Sequence, residues 1–128
     1  MRNVKEHPPK LYEYELPGGW KVLAGKTDED NDLLSLKVAN QGDWWFHVRS
    51  MAGSHVLLRE KPDEEPDNET LKRAAAIAAF HSKARGGGVV SVSYTRAQYV
   101  TKPRGAKPGT VSIRKEQLLK VRPAIPEE

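Results

Sequence analysis

At 128 residues with 38% apolar side chains the chain is long enough to bury one core and too short for two ordinary domains. Zero cysteines exclude disulfides and thiolate metal sites. No apolar run approaches the roughly 20 residues that span a bilayer and no leader pattern opens the chain, so the expectation is a cytoplasmic protein with no membrane partner.

The net charge of +4 is spread unevenly: residues 1–70 hold 9 Lys/Arg against 14 Asp/Glu, and residues 71–122 hold 12 against Glu116 alone. The local balance therefore swings from −5 to +11. A basic C-terminal half suits a phosphate backbone, because each neutralised phosphate releases counterions. The bland alternative is a solvated surface whose two halves attract each other.

In chain order, residues 1–10 lack periodicity and read as a loose arm. Residues 12–16 alternate as a strand should, Pro17-Gly18-Gly19 turns, and residues 20–24 return, giving a first hairpin. Residues 27–32 offer several caps before residues 33–39, which read as a short helix in preference to an irregular strand. The stretch Asp43-Trp44-Trp45-Phe46-His47-Val48-Arg49 then concentrates two tryptophans, a phenylalanine, a histidine and an arginine. With period 2, Trp44, Phe46 and Val48 form an apolar face, while Trp45, His47 and Arg49 form a face that can stack on bases and bond anionic or polar ligands. A turn follows at residues 50–53, where Gly53 can take a positive φ without steric cost, and residues 54–58 return as a strand. His55 then falls near His47 or Arg49, or, with a shift of one residue, on the opposite face.

Beyond a charged, proline-punctuated loop, Asp67 or Asn68 caps a helix over residues 71–85, whose small side chains let it lie close on a sheet; Lys83 and Arg85 suit its C-terminal end and Gly86-Gly87-Gly88 stops it. Residues 89–94, 99–101, 110–113 and 117–121 read as strands, and 122–128 as a loose, proline-rich tail. The sum is a single α+β domain, a mixed or mainly antiparallel sheet of about six strands with one long helix packed on it.

The loop from residue 102 to 109 places Lys102, Arg104 and Lys107 between two prolines and two glycines, which suits a phosphate grip, although the P-loop spacing is absent. A merely solvated turn is the plain alternative. His47, His55, His81 and Asp43 are ordinary zinc or iron ligands, but their spacing matches no metal motif, so no metal or cofactor is expected. Adjacent Ser54 and His55 point to opposite sides of a strand and cannot form a nucleophile and base pair.

Taken together, Asp43-Trp44-Trp45-Phe46-His47, Gly53-Ser54-His55-Val56, Ala78-Ala79-Phe80-His81-Ser82 and Lys102-Pro103-Arg104-Gly105-Ala106-Lys107-Pro108-Gly109 resemble, in this order, the RNA-binding (R) domain of the NFACT family, in a stand-alone form. Gly25-Lys26 and Asn31-Asp32 follow the same pattern, while Ala52 departs from the family's usual proline. Large members are ribosome-associated quality-control factors that bind the large ribosomal subunit and tRNA. The resemblance implies their RNA-binding module alone, without the N-terminal domain and helical arms, and hence no part in synthesis of untemplated tails.

The expected function is binding of tRNA or large-subunit rRNA, with the ribosome as a larger partner. Trp45, His47 and Arg49 are the candidate base or ribose contacts, with Ser54 and His55 beside them and Lys102, Arg104 and Lys107 on phosphates. If His47 or His55 meets phosphate as a cation, affinity rises as pH falls from about 8 to 6. The rival readings are an enzyme acting on RNA or nucleotides through His47 and His55, and a protein-interaction module on the translation machinery.

Overall fold

The computed structural model describes residues 8–126. Strands β1 (Leu11–Leu16) and β2 (Trp20–Gly25) form the first hairpin, turned through Gly18 and Gly19 at φ 89° and 79°. Helix α1 (Asp28–Leu33) starts on a Thr27–Asp30 capping box and runs on through a wider turn at Leu34–Val38. β3 (Trp44–Val48) and β4 (Val56–Leu58) pair next, followed by α2 (Asn68–Phe80) and β5 (Val90–Arg96). The short pair β6 (Val100–Thr101) and β7 (Ser112–Ile113) precedes the last strand, β8 (Gln117–Val121).

The main sheet is antiparallel throughout, in the order β1-β2-β4-β3-β5-β8. Its register makes the alternation of the sequence into two layers. Phe46, Val56 and Ala24 stand in one row facing α2, and the next row, Trp45, Leu57 and Leu23, faces the other way. The first face packs on the small side chains Ala74, Ala75, Ala78 and Ala79 of α2. The second is covered by Leu34 beyond α1 and by Val100 and Ile113 of the β6–β7 ribbon, making a smaller core.

The α+β class and the antiparallel sheet are as expected, but among the described residues there is no single long helix. The longer helical stretches described are the one over residues 28–38 and α2, of 13 residues, with a single 3-10 turn at Ala97–Tyr99 besides. Asp67 does cap α2, accepting from the Thr70 N–H at 2.8 Å. The helix stops at Phe80 rather than Arg85 because the next residues bond elsewhere: His81 O accepts from Ser54 N–H, and Lys83 N–H donates to Ala52 O. Gly53 bridges Ser82. Its φ is not positive, since Ser50 holds the left-handed position of this turn at 66°. What demands glycine at 53 is close approach, a Cβ there lying 2.7 Å from Ser82 Cβ.

The expected tails fare differently. Residues 1–7 and 127–128 lie outside the described residues. Within residues 122–126, Ala124 N–H donates to Ala76 O on α2 at 3.1 Å.

Candidate nucleic-acid interface

His55 is 2% exposed and bonded on every side. Its backbone N–H donates to Asn31 Oδ1 at 3.0 Å, while Nδ1 lies 2.7 Å from Ser35 Oγ and Nε2 lies 3.1 Å from Gly109 O. A carbonyl can only accept, so Nε2 carries the proton and Nδ1 accepts from the Ser35 hydroxyl. Ser35 Oγ in turn accepts from Trp45 Nε1–H at 2.8 Å. Every donor and acceptor from Trp45 to Gly109 is thereby used once, in one direction. Burial pushes His55 down to about 4, the neighbouring His47 adding to the effect, so the ring is neutral at pH 7. With both nitrogens committed, His55 has no lone pair for a substrate proton, which leaves His47 as the histidine of the enzyme reading that still faces a cleft. Ser54 is also engaged, its hydroxyl donating to Gly25 O at 2.6 Å.

The same histidine fixes the basic loop. Gly109 sits at φ 85°, gives its carbonyl to His55 and donates its N–H to Asp32 Oδ1 at 3.0 Å; a Cβ there would fall 2.8 Å from Asp28 Oδ1. Lys102 joins this anchor. Its Nζ pairs with Asp32 Oδ2 at 3.0 Å and donates to the carbonyls of Thr110 and Lys107. Lys102 is thus a fastener of the loop rather than a free phosphate ligand. Arg104 and Lys107 are exposed and form no ion pair among the described residues.

Between the Trp-rich strand and this loop lies a cleft of about 290 Å³, lined by Trp45, His47, Arg49, Ser93, Gly109 and Glu116 among others. Four of the predicted site residues, Trp45, His47, Arg49 and His55, are therefore in its lining. Trp45 is 2% exposed, however, so its ring supports the cleft from below and cannot stack on a base. His47 lies over it at 6.0 Å between ring centroids and meets His55 edge-on at 5.5 Å. Burial lowers the His47 pKa, so it too faces the cleft as a neutral ring. Arg49 is exposed, with Nη1 3.6 Å from Glu116 Oε2.

The sequence reading missed a second, more open depression of about 390 Å³, lined by Tyr12, Lys26, Asn31, His81, Lys83 and Arg85 among others. Tyr12 stacks on His81 at 4.1 Å with Lys26 Nζ 4.8 Å from the Tyr12 ring centre, and Tyr14 Oη lies 2.6 Å from His81 Nε2. Burial, with Arg85 nearby, pushes His81 down to about 4. The signal was present in the cation pairs Lys26 and Lys83-Ala84-Arg85, which read as a loop and a helix end. His81 is therefore on a different surface from the His47–His55 pair. Among the described residues no group of three or more histidines and carboxylates converges on one point, and no helix is long and apolar enough to cross a membrane.

The profile of the family described as the NFACT protein RNA binding domain matches residues 10–115. Among curated relatives, the protein named Rqc2 homolog RqcH from Bacillus subtilis (strain 168) is 41% identical over 123 residues, covering 96% of this chain and 21% of its own length. The protein of the same name from Streptococcus suis (strain 05ZYH33) is 36% identical over 126 residues, covering 93% and 22%. Of solved structures, the C-terminal part of the fibronectin/fibrinogen-binding protein from Streptococcus suis is similar with a TM-score of 0.82 at 35% identity, over 97% of this chain and 49% of that one. The chain spans about a fifth of the length of these curated relatives.

Proposed function

The chain belongs to the NFACT RNA-binding domain family, and on that premise we propose that it is an RNA-binding module whose ligand lies across the cleft between the Trp-rich strand and the basic loop. Arg104 and Lys107 meet phosphates, and His47 and Arg49 meet base or ribose. Trp45, Ser54, His55 and Lys102 hold those groups in place. Lys26, Lys83 and Arg85 extend the basic track onto the neighbouring depression. The resemblance to the NFACT family favours tRNA or large-subunit rRNA as the RNA, met on the ribosome in the cytoplasm during quality control of translation, and the curated relatives are named as Rqc2 homologues. Binding needs no metal or cofactor and turns nothing over.

One observation carries the reading: His55 Nε2 and Gly109 O lie 3.1 Å apart, so two motifs 54 residues apart in sequence form the two walls of one cleft. A surface that was only solvated would not need its cationic loop pinned to a buried histidine.

The test is fluorescence anisotropy with labelled tRNA and with large-subunit rRNA fragments, each sample afterwards run on a denaturing gel. Saturable binding with intact RNA is expected. The solved relative is named for fibronectin and fibrinogen binding, so both proteins serve as competitors in the same assay. RNA cleavage, or binding to fibronectin or fibrinogen with none to RNA, would overturn the proposal.

A further inference from the structure

The charges in the cleft do not suit a phosphate. Arg49 is the cationic side chain among its lining residues and Glu116 stands beside it, so the formal charge there is balanced. A phosphate would meet a carboxylate at close range, whereas the exposed Arg104 and Lys107 of the basic loop form no ion pair among the described residues. Something with donors as well as acceptors fits better.

The hydrogen-bond capacity of the pair is largely unspent. At 3.6 Å the Arg49–Glu116 contact is longer than a hydrogen bond, and the guanidinium has no other side-chain partner among the described residues. Glu116 Oε2 accepts from Ser93 Oγ at 2.7 Å, which fixes the carboxylate, while Oε1 has no bond among the described residues. A free five-donor fork therefore stands next to a free acceptor, at the mouth of a cleft of about 290 Å³. That volume is at the lower end of small-molecule pockets, about 300 Å³ upward, with space for one nucleoside and not for a duplex.

We infer that this cleft is a subsite for one unpaired guanine, read by the juxtaposed Arg49 guanidinium and Glu116 carboxylate; the inference rests on the RNA-binding reading above. Along its edge guanine presents N7 and O6 as acceptors and then N1–H and the N2 amine as donors. The order acceptor then donor matches guanidinium then carboxylate, with Arg on O6 and N7 as in the commonest specific arginine contact. Uracil places O2 where the carboxylate stands, cytosine follows its N4 amine with two acceptors, and adenine offers one donor group. In a duplex the N1 and N2 donors are already paired, so the guanine must lie in a loop, bulge or single strand.

The experiment compares oligouridine octamers carrying one central guanine, adenine, cytosine or inosine, with the full chain as the binder. Inosine lacks only the N2 amine. The guanine octamer should bind about tenfold more tightly than the adenine or cytosine ones, a bidentate contact being worth at least about that much, with inosine between. Glu116→Gln keeps an acceptor for Ser93 but leaves none for the N2 amine, and should bring the guanine-to-inosine ratio to about one. The inosine arm needs no variant, so the test stands even if Glu116→Gln does not fold. Equal affinities for all four octamers in the unaltered chain, or a guanine-to-inosine ratio that survives Glu116→Gln, overturn the guanine subsite while RNA binding stands. If no octamer and no tRNA binds, the RNA-binding reading falls, and the subsite with it.

Discussion

The buried imidazole of His55 works through saturation: Ser35 Oγ accepts from Trp45 Nε1–H and donates to His55 Nδ1, and Nε2 of the same ring reaches Gly109 O. Removing the hydroxyl in the middle orphans two groups at once. Ser35→Ala should therefore cost about 1–3 kcal/mol in denaturant unfolding, the penalty of burying unsatisfied polar groups, and an unaltered midpoint would show that the chain of bonds contributes nothing. Protonation attacks the same point. His55 and His81 are held near 4 when folded against 6.5 in the unfolded chain, so the unfolded state takes up protons that the folded state refuses. Their contribution is fully present above about pH 6.5 and is lost as pH falls toward 4. The melting temperature should drop across that window. His55 should add nothing to RNA affinity between pH 8 and 6, in contrast to the rise expected of a cationic histidine, because its ring is neutral there.

At the scale of elements, the basic loop divides into a fastener and two free cations. Lys102→Ala removes the partner of Asp32 and should lower stability and loosen the loop. Arg104→Ala with Lys107→Ala should leave melting within a degree or two yet reduce the slope of log affinity against log salt by about one to two, as for two lost phosphate contacts. A slope that falls only with Lys102→Ala would reverse this division. The loop itself was legible in the sequence, since three cations between glycines and prolines announce themselves. Which cation is spoken for was not, because Asp32 lies 70 positions away from Lys102. The end of α2 was missed for a similar reason: residues 81–85 are good helix formers, and only the tertiary bonds to Ala52 and Ser54 draw them out of the helix. Period-2 reading did assign the two faces of β3 correctly, and that is the signal a strand covered on both sides still carries.

For the molecule as a whole, the consequence is a sheet buried on both faces by unequal layers. Trp45 was expected to be a working residue because an aromatic opposite an apolar face looks exposed; the small core under α1 and the β6–β7 ribbon covers it instead. Phe46→Ala and Trp45→Ala should accordingly each destabilise by about 3–5 kcal/mol, from opposite sides of the sheet, whereas Arg49→Ala should change melting little. If Trp45→Ala kept full stability, the second core would be no more than a lid. The anchor at Gly109 shows the same linkage from another side. Its N–H is held by Asp32, 77 residues distant, and its carbonyl by His55, so this one peptide in an otherwise exposed loop can open only when α1 and the β3–β4 connection let go. In hydrogen–deuterium exchange the Gly109 amide should therefore outlast that of Gly105, whose exposed turn has no such tether, and its exchange rate should report the opening of the smaller core rather than local fraying.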